Sequence, residues 1–173
     1  MAYWKFIKPE QLAAWDVKAQ NEAKLREEGE SLAAIFGGKP VFKGDITRTY
    51  FHGVKFGSAP FYVAKELWTV PKSDNGYSSW PKSRPPKGMG EQHKALKKLW
   101  SDNYPQTKVS TDEFLKSIGF DWGMLLLYGI TYFRLGDAIF VKTGAKPNKD
   151  AKAVEILGSE FDSAKRDYVD AAS

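Results

Sequence analysis

Between Pro71 and Gly90 the chain places four prolines (Pro71, Pro81, Pro85, Pro86) and three glycines (Gly76, Gly88, Gly90). Proline fixes φ and removes a backbone donor, and glycine weakens any regular element, so neither a long helix nor a central strand survives that density. The stretch is therefore one long loop at 71–90 that separates two structured runs. Loops longer than about 12 to 15 residues in compact domains are generally either functional or disordered. The 173 residues fit a single domain spanning 1–173, with little room for a second core.

The flanking sequence is of mixed type. From Pro9 to Phe36 there are few strand formers, Pro9 suits a first helical turn, and Gly37 and Gly38 supply a stop, which predicts a helix. Its apolar positions do not keep one stripe: Leu12, Trp15, Ala19 and Ala23 lie roughly opposite Leu25, Leu32 and Phe36. The helix either breaks near Gly29 or is buried on two sides. "KPVFKG", "ITRTYFHGVKF" and "FYVAKELWTV" are rich in Val, Ile, Thr and aromatics, which predicts an antiparallel meander.

Beyond the loop, Leu96, Leu99 and Trp100 share one side of a helix starting at Glu91, with Lys94, Lys97, Lys98 and Ser101 on the other. Ser110 with Glu113 three residues on has the capping-box pattern and predicts a second, short helix ending at Gly119. In "WGMLLLYGITYFRLGDAIFVKTG", Gly136-Asp137 is a two-residue hairpin signal between core strands, and "GMLLLYG" reads as strand or as a buried helical turn. A last amphipathic helix carries Val154, Leu157, Phe161, Ala164 and Tyr168, with Asn148 or Asp150 as its cap, and is expected on the sheet. The fold class is α+β: an antiparallel sheet, meander plus C-terminal hairpin, packed by N-terminal and C-terminal helices.

Composition narrows the function. With 42% hydrophobic residues the chain is able to form a core. No apolar run approaches the roughly 20 residues that span a bilayer, and the start "MAYWKFIKPEQ" lacks a signal-peptide core, so a cytoplasmic protein is expected. There is no cysteine, which removes disulfides, thiolate metal ligands and a Cys nucleophile.

The catalytic inventory is thin. Neither a P-loop, a nucleophile elbow nor a dinucleotide fingerprint occurs, and the two histidines, His52 and His93, stand in no metal motif. Asp45, Glu66 and Asp74 are scattered around the meander, while Asp112, Glu113 and Asp121 suit a helix cap and turns. The expectation is no enzyme, no cofactor and no metal.

Charge is more informative. Residues 72–98 hold seven Lys or Arg against Asp74 and Glu91, a local sum equal to the net +5 of the whole chain. A neutral body bearing one basic segment points to an anionic partner. Lys82, Arg84, Lys87, Lys94, Lys97 and Lys98 would meet phosphates, with His93 as a further contact, and Tyr77 and Trp80 would stack on bases. Trp80 equally suits a role in pinning the loop to the body. In "KGMGEQHK", Gly88 and Gly90 precede a helix whose first amides suit an anion, although a flexible turn with a Gly cap explains the same residues.

The run "FGGKPVFKGDITRTYFHGVKFGSAPF" followed by "WPKSRPP" resembles small accessory proteins encoded by tailed phages and prophages. The resemblance covers about the first half and rests on texture: short, cysteine-free and aromatic-rich, with a helix leading into a meander. It implies a counter-defence role in the host-cell cytoplasm, such as sequestering a nucleotide signal or docking on a host defence protein. The expectation is a non-catalytic binding protein that captures an anionic ligand, first of all a nucleotide-derived signal. The alternatives are a nucleic-acid-binding protein using the same segment and an inhibitor of a host protein; a homo-oligomer is compatible with each.

Overall fold

The computed structural model describes residues 1–36, 38–45, 48–56, 59–62 and 87–172. They form an α+β fold with two antiparallel sheets: β5-β6-β1-β7 and β2-β3-β4. The elements are β1 (Ala2–Phe6), α1 (Pro9–Phe36), β2 (Lys39–Asp45), β3 (Arg48–Phe56), β4 (Ala59–Tyr62), α2 (Gly90–Ser117), α3 (Trp122–Tyr128), β5 (Thr131–Leu135), β6 (Ala138–Thr143), β7 (Val154–Glu155) and α4 (Gly158–Ala172). The chain divides into two compact units, one of residues 1–19 with 109–173 and one of residues 20–108.

In the first unit, the hairpin β5–β6 turns at Gly136-Asp137, pairing Leu135 with Ala138, as its turn residues predict. β1 then adds to β6 in antiparallel register from Ala2↔Thr143 to Phe6↔Ile139, and the short β7 closes the other side of β1. Sequence patterning did not show β1: five residues before a proline carry no clear alternation, and only their partners more than a hundred residues later make them a strand.

The pleat sends alternate β5 residues to opposite layers. Phe133 stacks on Phe140 at 5.3 Å and meets Phe161 of α4 at 5.4 Å. Tyr132 points the other way, 5.7 Å from Trp15 of α1 and 5.5 Å from Phe114 of α2, in edge and tilted geometries. Phe133, Ala138, Phe140, Phe161 and Ala164 form one buried cluster under α4, as expected for a C-terminal helix on the sheet. That helix begins later than its periodicity suggested. Asn148 caps a short 3-10 turn, Lys149–Ala151, and Val154 is taken by β7, so α4 starts at Gly158.

α1 runs unbroken from Pro9 to Phe36. Lys8 caps it, its carbonyl accepting from the amides of Gln11 and Leu12, while Gln11 Oε1 accepts from the Lys8 amide, the reciprocal half of a capping box. Gly29 is buried without breaking the helix, and Leu25, Leu32 and Ala33 are buried with it in the second unit. Of the two apolar faces read from the sequence, Trp15 of the first meets Phe114 and Tyr132, and Leu25 and Leu32 of the second are buried further along the same helix, while Ala23 is exposed.

α2 corrects a second expectation. The chain forms one helix from Gly90 to Ser117, not two, and it continues through Pro105. Ser110, expected as an N-cap, is buried within the helix. The local side-chain bond of a cap is weaker than the burial of Leu96, Leu99, Phe114 and Leu115 along one continuous helix, and that burial overrides the capping pattern. The helix does end at Gly119: φ is +83°, the Gly119 amide donates to the Lys116 carbonyl and Phe120 to Leu115, a Schellman closure.

The second unit holds the meander β2-β3-β4, with Lys39↔Lys55 and Asp45↔Arg48 marking the ends of the first ladder and irregularities at Val41/Phe42 and Lys55/Phe56. Arg26 of α1 lies 5.2 Å from the Phe42 ring centroid. No helix among the described residues is long and apolar enough to cross a membrane.

Candidate functional site

The described part of the basic segment starts at Lys87. A turn follows in which Gly88 adopts φ +81° with open space around it, and Met89 gives its carbonyl to the His93 amide, which makes Met89 rather than a glycine the cap of α2. Gly90 and Glu91 therefore sit in the first turn, where amides have no partner within the helix. Glu91 is itself acidic, and its charge complements that helix end.

Lys87, Lys94, Lys97 and Lys98 are exposed, while Leu96 and Leu99 are buried beneath them, as their spacing requires. Lys98 is engaged: its Nζ lies 2.6 Å from Asp102 Oδ2, one turn on. The hydrogen bond and charge of Asp102 raise its pKa above the ordinary lysine value, so it stays protonated at neutral pH. His93 is buried at 4% exposure and belongs to the apolar side of α2 with Leu96 and Leu99, not to the lysine face. Its spacing, three residues before Leu96, carried that signal. Tyr77, Trp80, Lys82 and Arg84 lie outside the described residues.

Beside the lysines is a cleft of about 460 Å³, lined by Glu27, Glu28, Ser31 and Leu32 of α1 and by Ala95, Lys98 and Leu99 of α2. Asn103 Nδ2 donates to Glu28 Oε2, which fixes one wall. Two carboxylates make this cleft a poor seat for a phosphate, because each adds a like charge close to the ligand. The cleft was not foreseen from the sequence, since its acidic residues lie more than sixty positions before the basic helix. Among the described residues no group of three His, Asp or Glu is arranged to hold a metal ion. Asp121, grouped with Asp112 and Glu113 as a cap or turn residue, caps α3 by accepting from the Met124 amide at 2.8 Å, the role expected of it.

The second site lies where the sequence suggested burial. The segment of α3 was expected as core strand or as a buried helical turn; it is helical, but only Leu125 of it is buried. Trp122, Leu126, Leu127 and Tyr128 are exposed. A cleft of about 340 Å³ lined by Asp112, Leu115, Lys116, Phe120, Asp121 and Trp122 adjoins it.

The chain matches the family model described as Bacteriophage Mu gene product 12 over residues 1–171. It is 37% identical over 162 residues to the "Uncharacterized protein gp12" of Escherichia phage Mu, covering 92% of each chain. No solved structure matches it.

Proposed function

We infer that this chain, which belongs to the bacteriophage Mu gene product 12 family, is a non-catalytic phage protein that binds a phosphate-bearing anion through residues 72–98. One observation carries the reading. The segment holds the whole net charge of the chain, and its described part presents Lys87, Lys94 and Lys97 to solvent around the first turns of α2. An open helix face beside an acidic cleft favours a short single strand of nucleic acid laid across the lysines over a ligand enclosed in that cleft.

A nucleotide-derived signal, captured for counter-defence, is the second reading. Tyr77 and Trp80 favour it, because aromatic faces among cations suit a stacked base with its phosphates held nearby. In that arrangement the residues 76–86 would supply the clamp and Lys87 and Lys94 the charge.

The salt dependence of binding to a labelled oligothymidylate tests the leading reading. With a slope of about −0.7 per phosphate, affinity is expected to fall about 20-fold between 50 and 200 mM salt for three contacts, and about 300-fold for six. Lys94→Ala/Lys97→Ala lowers the slope by about 1.4. Absence of binding, or a flat salt response, overturns the strand reading. Native mass spectrometry after incubation with mixed nucleotides decides the other: a retained nucleotide mass supports it, and none overturns it.

A further inference from the structure

α3 uses its seven residues against the usual economy of a surface helix. Leu125 faces inward, while Trp122 is 55% exposed, Leu126 57%, Leu127 81% and Tyr128 54%. The helix is held firmly all the same. Asp121 caps its amino end, the Gly129 amide closes on the Leu125 carbonyl at 2.7 Å, and Thr143 Oγ1 donates to the Gly129 carbonyl at 2.6 Å, tying its exit to β6. Tyr128 lies against Gly144, where an added Cβ would come within 2.9 Å of its ring. A helix fixed in this way adds no cost of backbone ordering when it associates.

We propose that α3 and the adjoining cleft form a homodimer interface, in which α3 of each copy seats on the cleft of the other around a twofold axis. The occupant follows from area and charge. Taking about 200 Å² for each of these large residues fully exposed, the four leave about 500 Å² open on one copy, and two copies bring together about the 1,000 Å² that a specific interface must clear. The cleft beside α3 has an apolar floor, Leu115 and Phe120, and a rim of both signs, Lys116 with Asp112 and Asp121. A twofold axis sets one patch against its own copy, so a rim that carries both charges is complementary to itself. A strongly basic partner would be repelled by Lys116, and a strongly acidic one by Asp112 and Asp121. This inference is independent of the anion reading, since all its residues lie in the unit of residues 1–19 and 109–173.

Sedimentation velocity of the full chain from about 1 to 100 µM tests it, a range that brackets weak and ordinary dimers. The chain is expected to shift from monomer to dimer across that range. Leu126→Glu/Leu127→Glu should weaken the dimer at least about 100-fold, because it places charge in the centre of the apolar patch, while exposed leucines replaced by a good helix former leave the fold intact. Far-UV circular dichroism and the melting temperature verify that the variant folds. The chain has no cysteine, so Leu127→Cys reports proximity without interference. Mild oxidation of mixed Leu127→Cys and Lys116→Cys chains, one sulfur on α3 and one on the facing cleft rim, should give a covalent mixed dimer, whereas Leu157→Cys, whose site is 74% exposed and lies elsewhere in the fold, should give none with Lys116→Cys. A monomer throughout the range overturns the proposal. So does a dimer unaffected by Leu126→Glu/Leu127→Glu, or cross-linking no better at position 127 than at 157.

Discussion

Among the described glycines, Gly119 is the position where a single methyl group has the most to disturb. It closes α2 with φ +83°, and a Cβ there would stand 2.8 Å from Ala151 Cβ and 2.9 Å from the Asn148 backbone nitrogen. The second contact is with main chain, and the Asn148 amide is already committed to the Gly119 carbonyl at 3.0 Å, so the 3-10 turn has no easy retreat. Gly119→Ala therefore combines a left-handed backbone, about 1 to 2 kcal/mol, with overpacking of about 1 to 3 kcal/mol. A total near 3 kcal/mol lowers the melting temperature of a chain this size by about 6 to 12 °C. Gly136→Ala is the control, since φ there is +59° but nothing lies within 4 Å. Thermal and urea unfolding followed by circular dichroism should show a clearly larger loss at 119 than at 136. Adding Ala151→Gly should recover part of the difference by removing one of the two close contacts. Equal losses at 119 and 136 would refute the steric part of this reasoning.

Two further substitutions address the helices. Gln11 is 1% exposed, and its Nε2 donates to the carbonyls of Ser117 and Ala151 while its Oε1 accepts from Lys8. Gln11→Leu keeps the bulk but leaves those backbone groups unmatched, and a loss of about 3 kcal/mol is expected in urea unfolding; unchanged stability would show that the bonds are dispensable. Pro105 interrupts the hydrogen-bond ladder of α2, so Pro105→Ala, which restores an amide opposite the Ser101 carbonyl, should raise stability by about 1 to 3 kcal/mol. A lower melting temperature in Pro105→Ala would count against a simple backbone account.

What could be read from the sequence followed from local rules. The bounds of α1, the Gly136-Asp137 turn, the Gly119 stop and the lysine face of α2 depend on periodicity, on glycine and on proline, all properties of neighbouring residues. What escaped depends on distant ones. β1 exists because β6 and β7 flank it, and the Ser110 capping pattern yields because Leu99 and Phe114 are buried along a continuous helix. "WGMLLLY" was taken as core because hydrophobicity normally signals burial, an assumption that fails on α3, where Trp122, Leu126, Leu127 and Tyr128 are exposed. For the candidate site, the charge concentration at 72–98 was legible, but the acidic cleft next to it was not. Glu27 and Glu28 gain their meaning only when α1 and α2 are brought side by side.

The place of β1 inside its sheet also sets a timetable for synthesis. The strand emerges well before its neighbours β6 and β7, which are encoded about 140 residues later. At roughly 5 to 20 residues per second, the ribosome leaves this aromatic segment without its hydrogen-bonding partners for about 7 to 28 s. The first sheet is thus a late, long-range closure that no nascent fragment is able to complete. A chain cut short before β6 would leave Tyr3, Trp4 and Phe6 as an unsheltered sticky end, and a peptide copying β6 would be its natural complement.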